Sequence, residues 1–186
     1  MKPKNNYIAG VIVIIIGVCV IAGIVFYGLN QSRDENFASQ HLTRARRLYE
    51  RITSVDLVND YPQTVEAVVD LFNDIALMLE SDMVINPDIK RELLIIQRQL
   101  YTSELLDANP FEAQFQNLLS NTQTLMEEGF VTAGFRRGES RLDEFHQNRM
   151  IVRVWQRIRD VGDVQWDYHM RRQDGRWKFH QKVIVN

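Results

Sequence analysis

Apolar residues fall into three successive patterns along this chain. Residues 7–29 form an uninterrupted run without a charged side chain, residues 37–128 repeat apolar positions every three to four residues, and residues 150–185 alternate them. A run of that length, at about 1.5 Å per residue, spans about 34 Å, against a hydrocarbon core of about 30 Å. The three-to-four spacing predicts amphipathic helices, and the alternation predicts half-buried strands.

Four helices can be placed. The first covers about 37–53, with Phe37, His41, Ala45, Leu48, Tyr49 and Ile52 on one face. Pro62 and Thr64 open the second, whose face is Val65, Val68, Val69, Phe72, Ile75, Ala76 and Leu79. Asn86-Pro87-Asp88 combines an N-cap, a proline at the first helical position and an acid, and precedes a stripe of Ile89, Leu93, Ile96 and Leu100. Asn109-Pro110 repeats the device before Phe111, Phe115, Leu118, Leu119, Thr122 and Met126, and Gly129 ends that helix.

The strands follow. Met150, Val152, Val154, Gln156 and Ile158 share one face, as do Val164, Trp166, Tyr168 and Met170. Asp174-Gly175 is a hairpin signal, because both central residues of a type I′ turn need positive φ. The last strand presents Trp177, Phe179, Gln181, Val183 and Val185, and a further strand is expected at 129–137. A two-residue turn at 174–175 sets His169 opposite His180, Asp167 opposite Lys182, Met170 opposite Phe179 and Arg171 opposite Lys178. A three-residue loop at 161–163 sets Ile158 opposite Trp166 and Val154 opposite Met170; a two-residue loop would set Val154 against Arg171. The sheet is therefore expected to be antiparallel, with one face on the helices. The other face carries Arg153, Trp155, Arg157, Asp167, His169, Arg171, Lys178, His180 and Lys182.

Composition narrows the class. The chain has 186 residues, 45% hydrophobic and 25% charged, which excludes a disordered or collagenous chain. Its single cysteine, Cys19, lies inside the apolar run, so a disulfide scaffold and a cysteine-based metal or redox site are excluded. The run is longer than a signal peptide's apolar region and lacks an Ala-x-Ala-like cleavage site, while Val18 stands where a lipoprotein signal needs a small residue. Lys2 and Lys4 place the N-terminus inside, against competition from Arg33, Arg44, Arg46 and Arg47 beyond the span. The expected plan is a cytoplasmic tail at 1–6, a single transmembrane helix at 7–29 and a juxtamembrane linker at 30–36. One extracellular α+β domain follows at 37–186, with helices over 37–128 and sheet over 129–186.

Charge divides the same way. Residues 30–130 carry 8 basic and 17 acidic side chains, and residues 131–186 carry 12 basic and 7 acidic. No Pro/Gly/Ser-rich linker separates the two, so they read as one domain.

Helices followed by a curved antiparallel sheet ending in DGRWKF resemble the cone-shaped fold of nuclear-transport-factor-2-like proteins. The segments TSVDLVNDYPQTVEAVVDLFNDI, ELLDANP and RWKF further resemble an uncharacterised family of single-pass, membrane-anchored proteins of anaerobic Gram-positive bacteria. The resemblance covers most of the chain. It implies a membrane anchor and a cone-like domain but no activity, because its motifs are structural. The cone fold also serves scaffold subunits of secretion machines and small isomerases and cyclases, an analogy of fold alone.

Candidate chemistry is sparse. His169 and His180 with Asp167 lack a third well-placed ligand and have Arg171, Lys178 and Lys182 nearby, so no metal or other cofactor is expected. The inward row Gln156, Tyr168 and Gln181 could hydrogen-bond a small polar ligand but contains no general base, so no catalytic residue is assigned. Phosphate-loop, His-Glu-x-x-His and Gly-x-Ser-x-Gly patterns are absent. Arg153, Trp155, Arg157, Arg171, Lys178 and Lys182 form a candidate surface for an anionic envelope polymer, lipid headgroups or an acidic protein. Nucleic acid fits only a cytoplasmic domain. The expected function is binding or assembly at the cell envelope; the alternative is a small-molecule-binding or isomerase-like cone with an internal pocket.

Overall fold

The computed structural model describes residues 42–144 and 146–185. The tail, span and linker expected at 1–36, with the first residues of the helix expected from 37, lie outside the described residues. Among the described residues no helix is long and apolar enough to cross a membrane.

Helix α1 occupies residues 42–53 of the described chain. It is followed by α2 (Val65–Glu80), α3 (Pro87–Arg98), α4 (Ser103–Ala108) and α5 (Phe111–Glu127). The Thr64 hydroxyl accepts from Ala67 N at 3.1 Å, which fixes the start of α2. Buried residues of α2 span most of its circumference, from Val65 and Val69 to Leu77, Met78 and Leu79, because it touches α3, α5 and the sheet. Its last turn has no basic residue of its own. Lys90, buried on α3, supplies one by donating from Nζ to the Leu79 carbonyl at 3.1 Å. The Asn86 side chain caps α3 at Asp88 N (2.8 Å), and Pro87 holds the first turn. Helix α4 was not expected. Six residues are under two turns, so no stripe announces it, although Thr102 caps it at Leu105 N.

Four antiparallel strands lie in chain order: β1 (Thr132–Asp143), β2 (His146–Ile158), β3 (Gly162–Gln173) and β4 (Arg176–Ile184). The strand expected at 129–137 starts later and runs further. Gly129, at φ 83°, belongs to the end of α5, and register shifts near Ala133, Gly138 and Leu142 break the alternation that would have marked the full strand.

Two registers differ from expectation. The β2–β3 loop does contain three residues, but they are 159–161, with Ile158 opposite Gly162. Asp160 takes positive φ (59°) there, which aspartate tolerates, and Gly162 follows at 119°. Val154 therefore faces Trp166 and Met150 faces Met170. Partners move by four positions, an even number, so the faces are unchanged.

In the β3–β4 hairpin, Asp174 (φ 51°) and Gly175 (φ 76°) form the expected turn. Arg171–Lys178 and Met170–Phe179 pair as expected. Beyond them a bulge at His180 shifts the register, so His169 faces Gln181, Tyr168 faces Lys182 and Asp167 faces Val183. The expected His169–His180 and Asp167–Lys182 pairs do not form. At this point β4 has a second partner: Phe179 N donates to Leu100 O (2.7 Å), Thr102 N donates to Phe179 O (2.9 Å), and the Thr102 hydroxyl meets His180 Nδ1 (3.1 Å). One extra residue reverses everything after it, turning Lys182 inward and Gln181 outward.

The core lies between α2 and the inner sheet face. Phe72 stacks on Phe179 (4.2 Å between centroids) and meets Tyr168 edge-on at 5.5 Å, with Val152, Val154 and Met170 buried around them. Each such side chain contributes roughly 1.5–3 kcal/mol on burial.

Candidate functional site

At the end of the inner face nearest Gly129, the core gives way to a cleft of about 370 Å³. Helix α5 supplies Leu118, Asn121, Thr122 and Leu125; the sheet supplies Thr132, Gln156, Ile158, Trp166 and Lys182; Phe130 and Glu80 complete it. Its polar floor is one connected network. Gln156 Nε2 donates to Glu80 Oε2 (3.0 Å) and to Thr132 Oγ1 (2.8 Å), and Trp166 Nε1–H donates to Gln156 Oε1 (2.9 Å). The indole N–H can only donate, which fixes the orientation of the Gln156 amide. Lys182 Nζ lies over the Trp166 ring at 4.7 Å from its centroid.

Burial raises the Glu80 carboxyl above its ordinary range, and Lys182, Gln156 and Thr132 oppose that shift without cancelling it. A carboxyl poised in this way can hold or release a proton toward a bound molecule. Leu125 and Phe130 stand at the opening with 46% and 41% of their surface exposed, so the apolar walls are not closed over.

Of the expected polar row, Gln156 alone reaches this floor. It lies opposite Val164, not Tyr168. Tyr168 is buried opposite Val152 against Phe72 and Phe179, and burial drives its phenol pKa far up. Gln181, turned by the bulge, is exposed. Lys182, expected on the outer surface, is part of the cleft instead.

The remaining candidate surface is on the outer face, largely neutralised. Arg153 forks onto Asp167 (3.0 and 3.2 Å), which also takes Arg141 (3.1 Å). Arg157 forks onto Asp163 (2.8 and 3.2 Å), and this contact holds the Asp163 carboxyl below its ordinary range. Trp155 lies beneath Arg136, 4.0 Å from its ring centroid, and against Gly138, where a Cβ would fall 2.3 Å from the ring. Arg171 donates to Glu104 and to His180 Nε2, and Lys178 donates to the Gln99 carbonyl. Among the described residues no three His, Cys, Asp or Glu gather as metal ligands.

Glu80 is the residue that sequence reasoning missed. A signal was present: it follows Ala76 by four positions, directly after the apolar run Ile75–Leu79, so α2 carries it toward the sheet.

The protein thus belongs to the class of α+β domains in which helices pack on one face of a four-stranded antiparallel sheet. More particularly, it belongs to the family described as Domain of unknown function (DUF6715), whose model matches residues 1–181. No curated protein matches the chain. Among solved structures it is similar to a SEC-C-motif-containing protein from Rhodopseudomonas palustris, at 18% identity and a TM-score of 0.40, over 67% of this chain and 80% of that one. It is also similar to a Campylobacter jejuni protein named among the NTF2-like transpeptidases, at 8% identity and a TM-score of 0.40, over 61% of this chain and 96% of that one. Likeness at this level is loose and assigns no activity.

Proposed function

We propose that this chain is a membrane-anchored binding protein whose domain takes a small ligand, apolar along its body and polar at one end, in the cleft above Glu80 and Gln156. Residues 7–29 hold it in the membrane with the N-terminus inside and the domain outside, in keeping with the resemblance to membrane-anchored proteins of anaerobic Gram-positive bacteria. One observation carries the reading: an ordered Glu80–Gln156–Trp166 network forms the floor of a cleft whose apolar walls remain open to solvent. A volume near 370 Å³ falls within the range of small-molecule pockets, about 300–1,000 Å³. Assembly through the outer arginines has less support, because an acidic polymer, headgroup or protein would have to displace Asp163 and Asp167 from Arg157 and Arg153.

A thermal-melt screen of the full chain in neutral detergent tests this. A ligand that binds only the folded state raises the midpoint further as its concentration exceeds its dissociation constant. The rise should disappear in Gln156→Ala and Leu125→Arg and persist in Arg153→Gln. Shifts lost in Arg153→Gln but kept in both cleft variants would overturn the reading. Protease added to intact cells should digest the domain; protection until lysis would reverse the orientation.

A further inference from the structure

We propose that the outer sheet face also carries a phosphate-binding site, formed by Arg149, Arg171 and His180 and separate from the cleft. The register sets Arg149 directly opposite Arg171, and Arg171 directly opposite Lys178. Three cations thus occupy one row across three strands, an arrangement that like-charge repulsion disfavours. Elsewhere on this face β3 answers each arginine of β2 with an aspartate, Arg153 with Asp167 and Arg157 with Asp163. This row has no such answer. Glu104 reaches in from α4 to Arg171 Nη1, and Lys178, which feels the charge of Asp174, donates to the Gln99 carbonyl.

The Arg149 side chain is half-buried and makes no hydrogen bond or ion pair among the described residues. The Nε atoms of both Arg149 and Arg171 are buried without an acceptor. A buried N–H left without an acceptor is costly, and an acceptor reaching it recovers that cost. The donors suit a tetrahedral oxyanion, since Arg149 and Arg171 stand opposite one another on β2 and β3 and the Arg171 guanidinium meets the His180 imidazole of β4. His180 Nε2 accepts from Arg171 Nη2 at 3.1 Å, so the ring is neutral at that nitrogen. Burial and the neighbouring Arg171, Arg149 and His169 all hold the His180 pKa below its ordinary value, with Glu104 opposing. Glu104 already matches Arg171, so an added dianion would be matched by Arg149 and by a proton taken up on His180.

The test uses the full chain in neutral detergent, melted against inorganic phosphate, against glycerophosphoglycerol as the soluble headgroup of an anionic lipid, and against sodium chloride at matched ionic strength. Phosphate near ten times its dissociation constant should raise the midpoint by about 3 °C over chloride. Arg149→Gln should melt no lower than the parent without phosphate, since it removes a repulsion, and should lose at least tenfold in phosphate affinity. The His180 ring resonances should titrate at higher pH with phosphate present. A rise with inorganic phosphate alone assigns the site to free phosphate, whereas a rise with glycerophosphoglycerol assigns it to a lipid headgroup. Equal rises with all three salts would reduce the effect to screening and overturn the proposal. So would an Arg149→Gln variant that keeps the full phosphate shift, or one that melts lower by the same amount with and without phosphate.

Discussion

The two faces of this sheet solve opposite problems with the same strands. On the inner face, side chains leave water to pack against α2, and the polar groups that go with them, Gln156, Thr132 and Glu80, must satisfy one another. On the outer face the charges stay nearer water, and outside the Arg149–Arg171–Lys178 row the β2 arginines are matched across strands, Arg153 to Asp167 and Arg157 to Asp163. Inner contacts are therefore few, connected and energetically large; outer contacts are numerous, local and replaceable. The contrast orders the expected effects of mutation.

The largest belongs to Phe179. It stacks on Phe72, meets Tyr168 edge-on at 5.2 Å, and its backbone joins β4 to the Leu100–Thr102 segment. Phe179→Ala should cost about 3–5 kcal/mol in a denaturant melt. A loss near 1 kcal/mol would mean the inner face repacks easily, and the contrast between faces would weaken.

Gly138→Ala probes the outer face by the same measure. The added Cβ falls 2.3 Å from the Trp155 ring, which must move off it and away from Arg136. The indole is half-buried and has solvent to move into, so the cost should be about 1 kcal/mol, the low end for overpacking. A shift in Trp155 fluorescence should accompany it. A cost equal to that of Phe179→Ala would show that Trp155 anchors a core of its own.

Legibility followed the same division. Helices α2 and α3 were readable from their caps and stripes, because each buries a periodic face and opens on Thr64 or Asn86. The hairpin turn at Asp174-Gly175 was readable because its φ values demand those residues. What could not be read were events that depend on distant chain. The bulge at His180 goes with the segment Leu100–Thr102 lying against β4, and no local pattern in RWKFHQKV marks it. The floor of the cleft was lost with it, since alternation alone put Lys182 outside and Gln181 inside. Glu80 ends α2, where an acid reads as solvent-facing, and its place four residues after Ala76 is the one local sign that it turns toward the sheet.

Glu80 gives the pH test of the inner face. Its carboxyl is raised above 4.5 in the folded state, chiefly by burial. Below the unfolded value both states hold the proton, and the contribution to stability is fully present. As pH rises the unfolded chain releases the proton first, so stability falls until the pH has passed the folded pKa. Glu80→Gln keeps an acceptor for Gln156 and removes the titration. The variant should match the parent below pH 4.5 and melt higher than it at neutral pH. A parent that is the more stable at neutral pH would mean the charged form is favoured, and Lys182 would then dominate the site.

The smallest effect is expected at Asp163, and it completes the contrast. Its fork with Arg157 has good geometry, yet both groups lie where water and salt screen them. The Asp163 pKa is lowered, first by the Arg157 hydrogen bond, so this contribution is present above the unfolded pKa and fades as pH falls through the folded one, the reverse of Glu80. Asp163→Asn retains one acceptor oxygen and removes the charge. At moderate salt the melting midpoint should not move beyond replicate scatter, and at low salt a small drop should emerge. Adding Arg157→Gln should recover that drop, because the lone cation is gone. Were Asp163→Asn to destabilise strongly at any salt concentration, the outer pairs would be structural fastenings, and the neutralised face would be a second region of the molecule that cannot be altered freely.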